Sequence, residues 1–131
     1  MNLDEIIDKL QTAFKNDGVK KQVLDTYWLN MNIQTGINST GFCFAASEVI
    51  YRLCGGKENW IMKSIIDPTD WNNGTHYFLF NKHSQEILDV TSEQYTLRGI
   101  EIPYHLGKGK GLRNVSKKAR LLAELAELPD L

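Results

Sequence analysis

A chain of 131 residues is the size of one domain, because dividing it would leave halves too small to bury a core of their own. With 42% hydrophobic and 24% charged residues, 3 Pro and 10 Gly, its composition argues against a disordered chain, a collagen-like repeat and a disulfide miniprotein. The 15 Lys and Arg stand against 16 Asp and Glu for a net charge of -1, so there is no global field to draw in nucleic acid or an anionic membrane, and any such binding must be local.

The opening run Asn2-Leu3-Asp4-Glu5-Ile6-Ile7-Asp8 is acidic and amphipathic. It lacks the basic start and unbroken apolar stretch of a secretory signal, and no later run is long and apolar enough to span a bilayer. The expected compartment is the cytoplasm, with no membrane partner. Residues 3 to 16 place Leu3, Ile6, Ile7, Leu10, Ala13 and Phe14 at three- and four-residue steps, which predicts an amphipathic helix ended by Asp17-Gly18. A second helical pattern runs through Val19, Val23, Leu24, Tyr27, Trp28 and Met31, and residues 30 to 38 read as a loop. Asn38, Ser39 and Thr40 offer capping side chains to a strongly apolar helix from Phe42 to Cys54, which Gly55-Gly56 would stop. That helix is expected to be buried on most sides.

Beyond it the period shortens to two. Residues 60 to 66 read as a strand, and residues 67 to 74 are rich in turn formers. Residues 76 to 80 and 86 to 90 read as antiparallel strands joined by a polar tip. Residues 91 to 99 suit a short helix or turn, residues 100 to 115 a loop bearing Gly and Lys, and residues 116 to 128 a final helix capped by Ser116. Helices followed by strands and a closing helix indicate an α+β fold, with N-terminal helices over 1–35, a core over 41–99 and a basic loop with the last helix over 100–131.

Two cysteines are too few for a disulfide framework. Cys43 and Cys54 stand eleven residues apart in one helical pattern, roughly 16 Å along the axis, so both are expected as free thiols. Cys43 falls in the first turn of its helix, where unpaired N–H groups and the helix dipole favour a thiolate. Cys54, three turns on, is expected to be a small core residue. His76 opens one strand and Asp89 ends the strand returning beside it. With Asn81 paired to Ser84 the two side chains are directly opposed; with Asn81 paired to Glu86 they are diagonal on one face; a slip by one residue separates them. Thiolate, imidazole and carboxylate in this order are the parts of a nucleophilic site: the imidazole moves the proton and the carboxylate holds its tautomer.

These residues carry a resemblance. The stretches Gly41-Phe42-Cys43-Phe44-Ala45-Ala46-Ser47-Glu48, Gly55-Gly56-Lys57, Thr75-His76-Tyr77-Phe78-Leu79 and Leu88-Asp89-Val90-Thr91, with Gln94-Tyr95, resemble small phage and bacterial proteins of the YunG-like type. Pro103-Tyr104, Gly107, Gly109, Gly111 and Ser116-Lys117-Lys118-Ala119 resemble the phage members. More distantly, a cysteine opening a helix, a histidine strand and a strand ending in Leu-Asp-x-Thr is similar to the core of papain-like enzymes, transglutaminases and arylamine N-acetyltransferases. The resemblance implies a papain-like core with a catalytic Cys43, His76 and Asp89, and no substrate. It also marks a departure, since Ile37 stands where papain-like proteases place an oxyanion-stabilising glutamine. That role would pass to Asn38 or to the backbone N–H of Cys43 with a neighbour.

Trp60, Trp71, Tyr77, Tyr95 and Tyr104 are aromatic candidates for a cleft wall, with Trp71 foremost because it stands in a polar segment just before His76. Glu48 is expected to be solvated or ion-paired, and His83 and His105 to be exposed. Lys108, Lys110, Arg113, Lys117, Lys118 and Arg120 put six basic residues in thirteen with no acidic one, a local surface for phosphate, nucleic acid or an acidic partner, or a solvated loop. The glycines there lack the ending of a P-loop, and no cofactor motif occurs elsewhere. The leading expectation is a thiol-dependent hydrolase or acyltransferase acting on a protein, peptide or small amide through a thioester. The alternative is a non-catalytic phage-encoded module that binds a host protein, or less readily nucleic acid, through residues 108 to 120. A zinc site on Cys43, His76 and Asp89 ranks last, as no close pair of ligands anchors it.

Overall fold

The structure, a computed structural model, describes residues 1–66 and 75–131. Helix α1 (Leu3–Phe14) is capped by Asn2, whose Oδ1 accepts from the Glu5 N–H, and buries Ile6, Leu10, Ala13 and Phe14. The single helical pattern expected next is two helices, α2 (Asp17–Val23) and α3 (Thr26–Thr35). The break has a local cause. Leu24 leaves the helix with an extended ψ, and the Asp25 carboxylate then accepts from the Trp28 N–H to start α3. Helix α3 continues to Thr35, so residues 30 to 35, expected in a loop, are helical until Gly36 caps the end at φ 67°.

The loop from 36 to 42 is held from α3. Asn32, buried, donates from Nδ2 to the carbonyls of Asn38 and Thr40 at 3.0 and 2.9 Å, and the Thr35 and Thr40 hydroxyls lie 2.9 Å apart. Helix α4 (Cys43–Leu53) then begins without a side-chain cap, so Asn38, Ser39 and Thr40 do not cap it; Asn38 and Thr40 brace the loop instead. Gly41, at φ 92°, makes the turn into α4, and a Cβ there would meet Leu24 Cδ2 and Trp28 Cβ at 3.0 Å. Seven consecutive residues, Ala45 to Tyr51, are buried. They pack between α1 and the closing helix α6 (Lys117–Leu125) on one side and the sheet on the other.

The sheet is antiparallel in the order β3-β2-β1-β4, from β1 (Trp60–Ile66), β2 (Thr75–Asn81), β3 (Ile87–Leu88) and β4 (Lys108–Gly109). Its two faces carry two cores, as alternation along a strand requires. Trp60, Met62 and Leu79 join the large cluster with the helices, while Ile65 and Phe78 join a smaller one with Tyr95 and Ile102. Tyr95 belongs to a one-turn helix, α5 (Glu93–Thr96). The fold is therefore α+β, a helical layer on a small antiparallel sheet. Among the described residues no helix is long and apolar enough to cross a membrane.

Two expectations about the second half change. The strand expected over 86 to 90 is only two residues long, because past Leu88 the chain turns, with the Asp89 carbonyl accepting from the Ser92 N–H at 3.3 Å. The basic stretch is not a free loop. Lys108 and Gly109 pair with Ser64 and Lys63 at the sheet edge, and the Lys110 N–H donates to the Met62 carbonyl at 2.7 Å.

Candidate active site

The hairpin register decides whether His76 and Asp89 meet. Leu79 pairs with Leu88 and Phe80 with Ile87, and the Asn81 N–H donates to the Glu86 carbonyl at 2.9 Å, which is the diagonal arrangement of the two foreseen. Asp89 thus lies just past β3 on the face of β2 that carries His76, and their Nε2 and Oδ2 atoms are 2.7 Å apart. His76 is fully buried, stacked on Phe78 and met edge-on by the Tyr95 ring at 4.7 Å. Three further hydrogen bonds fix the carboxylate: the Tyr104 hydroxyl donates to Oδ2 at 2.8 Å, and the Thr91 N–H and hydroxyl donate to Oδ1 at 3.3 and 3.5 Å. From the helical side, Gln11 of α1 donates to the neighbouring Val90 carbonyl at 3.0 Å.

Cys43 comes to this pair from the other layer. The N-terminus of α4 meets the sheet where β2 begins, and the Cys43 Sγ lies 3.8 Å from the Thr75 carbonyl. Its thiol is hydrogen-bonded to His76, whose Nε2 is already engaged by Asp89, so Nδ1 is the nitrogen that serves the sulfur. Burial alone would push the imidazole pKa down. The hydrogen bonds to Asp89 and Cys43, and the negative charge each can carry, outweigh it and raise His76 from 6.5 to about 9. Burial pushes the Tyr104 phenol up, and the Asp89 charge and hydrogen bond push it further, so Tyr104 stays a donor across the physiological range.

A cavity of about 330 Å³ opens at the sulfur. Cys43, Phe44 and Ala45 form one wall, where the first-turn N–H groups of α4 have no side-chain cap. Trp28 and Tyr77 supply aromatic surface, and the Phe44 and Tyr77 rings meet edge to face at 4.9 Å. Lys110 reaches the cavity from the sheet edge, and the Lys118–Asp25 pair, 3.5 Å apart and exposed, borders it. Gln94 of α5 closes the side next to the imidazole, with Nε2 3.0 Å from the Thr91 hydroxyl and 3.4 Å from His76 Nδ1.

The other candidate residues fall elsewhere. Asn38 is not at this cavity: its Oδ1 accepts from Lys20 Nζ at 2.8 Å, and it lines a separate depression with α2 and α3. Trp71 lies outside the described residues. Trp60 is core, donating from Nε1 to the Cys54 carbonyl, and Tyr95 is buried beneath His76. Lys108 and Arg113 are exposed but do not line the cavity; the Arg113 carbonyl accepts from Arg52 Nη2 at 3.0 Å. Glu48, expected to be solvated or ion-paired, is ion-paired but fully buried: Oε2 meets Arg52 at 3.1 Å and accepts from the N–H of Ser116, the cap of α6. Both cysteines are free, and Cys54 is half-buried against the large core. His83 and His105 are exposed. Among the described residues no three His, Cys, Asp or Glu side chains are grouped to hold a metal ion.

Sequence reasoning missed Gln94 and Thr91 as site residues and named Tyr104 only as a wall. The signal available was the position of Gln94, five residues past Asp89, where one helical turn brings the chain back under the histidine. No protein family matches the chain, and no curated protein or solved structure is significantly similar to it.

Proposed function

We propose that the chain is a thiol-dependent hydrolase or acyltransferase with Cys43 as nucleophile, His76 as general base and then acid, and Asp89 as the group that orients the ring. The observation that carries this reading is a buried imidazole with Asp89 on Nε2 at 2.7 Å and the Cys43 thiol among its hydrogen-bonding partners, beside an open cavity. The sulfur attacks a carbonyl carbon, the imidazole holds the proton at Nδ1, and collapse of the adduct sends that proton to the leaving group and leaves a thioester on Cys43. Water or an acceptor nucleophile then releases the acyl group. The order of parts, a cysteine opening a buried helix laid on an antiparallel sheet, then a histidine strand, then a carboxylate, also supports reading the fold as a papain-like or transglutaminase-like core. Aromatic walls and Lys110 suit an acyl group with an apolar body, drawn from a peptide, amide or ester.

The test is alkylation with iodoacetamide near pH 7, followed by peptide mapping. Cys43 should be labelled well ahead of Cys54, whose thiol burial pushes up; slow and equal labelling of the two would sink the reading. A Cys43→Ala chain that retained its cellular effect while neutralisation of Lys108, Lys110 and Arg113 abolished it would favour the non-catalytic binding module instead.

A further inference from the structure

Nucleophilic attack on a carbonyl leaves an oxyanion, and the side chain foreseen for it, Asn38, lies away from the cavity with its amide oxygen taken by Lys20. We infer that the carboxamide of Gln94, together with the first-turn N–H groups of α4, donates to the oxyanion formed on Cys43. The inference rests on the reading of Cys43 as nucleophile and assigns a further catalytic residue to that site.

The polarity of the hydrogen-bond chain fixes which end of the amide faces the chemistry. An ionised Asp89 only accepts, so the Thr91 hydroxyl, 3.5 Å from Oδ1, gives its hydrogen to the carboxylate. The Thr91 oxygen then accepts, and its partner at 3.0 Å must be the nitrogen of Gln94. One amide hydrogen is spent there. The other is directed at His76 Nδ1, 3.4 Å away, at the edge of the cavity that Cys43 lines. Nδ1 has a single lone pair, which the Cys43 thiol or the proton it yields occupies, so it does not take this hydrogen from Gln94. The second amide hydrogen therefore meets its acceptor only when negative charge passes from sulfur to the carbonyl oxygen. A buried donor satisfied only in that step stabilises the transition state more than the ground state, which is the condition for catalysis. Gln94 is itself buried, and the Thr91 hydroxyl holds its side-chain nitrogen at 3.0 Å, so the amide is aimed before substrate arrives.

The experiment compares two electrophiles on Gln94→Met, which keeps the side-chain length and removes the donor. Acetylation of Cys43 by 4-nitrophenyl acetate passes through a tetrahedral oxyanion; alkylation by iodoacetamide does not. The ester rate should fall on the order of 10²-fold, and the iodoacetamide rate by at least about tenfold less than that, because a displacement at carbon needs no oxyanion donor. Equal loss of both rates, or an unchanged ester rate, overturns the role. Should Gln94→Met fail to fold, the wild-type chain decides: acetaldehyde, as a hemithioacetal on Cys43, should move one Gln94 side-chain amide proton downfield in a ¹⁵N-edited spectrum. Methylthiolation of Cys43 should not, and an unmoved proton in the aldehyde adduct counts against the inference. A wild-type chain that takes no acetyl group on Cys43 removes the nucleophile reading, and this inference with it.

Discussion

At the scale of single residues, the site is built by satisfying Asp89. A carboxylate withdrawn from water needs its lone pairs occupied, and here one imidazole, one phenol, one hydroxyl and one backbone N–H share them. Each donor is thereby fixed in turn, which is how a carboxylate sets a histidine tautomer and, through Thr91, an amide. Tyr104 is the member whose removal is cleanest, because Phe keeps the ring contact with Phe78 at 5.0 Å and deletes only the hydroxyl. Tyr104→Phe should cost about 1–3 kcal/mol, read from the shift in urea midpoint at constant slope, since the lost bond is to a charged group. A cost under half a kcal/mol would mean that water replaces the phenol and that Tyr104 does not support the site.

At the scale of elements, the decisive joint is the entry to α4. The helix must start where β2 starts, or the sulfur misses the imidazole, and the chain has only the loop from 36 to 42 in which to turn. Gly41 allows this by adopting φ 92° against Leu24 and Trp28, a place where any Cβ is both crowded and strained. Gly41→Ala should destabilise the fold by about 1–3 kcal/mol. It should also slow iodoacetamide labelling of Cys43 under conditions where the chain remains folded. Unchanged labelling would show that α4 is held in place by its own packing, with Phe42 stacked on Phe14 at 4.8 Å, and not by the turn. The mirror case is Gly107, where a Cβ would lie 2.6 Å from the buried Phe78 ring, so the segment carrying Tyr104 can cross that face of the sheet only with glycine there.

At the scale of the whole molecule, the site sits between two cores and couples stability to pH. His76 is raised from 6.5 in the unfolded chain to about 9 in the folded one, so the folded state binds the proton more tightly. Its contribution is complete below pH 6.5 and is lost as pH rises through about 9, up to on the order of 3 kcal/mol. Melting temperatures of the wild type and His76→Gln should converge between these limits as pH increases; a gap that widened with pH would reverse the sign and contradict the Asp89 pairing. In the proposed mechanism the same proton goes to the leaving group, so turnover of an amide should fall across the same upper limb, near pH 9.

The sequence by itself determined the local periodicities and, with them, most of the elements. The strand from Trp60 to Ile66 and the cap at Ser116 were legible because alternation and N-capping are properties of neighbouring residues. So was the face shared by His76 and Asp89, since a hairpin admits few registers and each makes a definite statement about side-chain sides. Long-range placement was decided only by the tertiary structure: that Cys43, 33 residues before His76, reaches it around the start of β2; that Asn38 turns to Lys20; that Lys110 runs along a sheet edge; that Glu48 is sealed between helices. Periodicity tells which side of an element is apolar. It does not say which other element covers that side, and a polar side chain takes whichever partner the packing of two layers brings within about 3 Å.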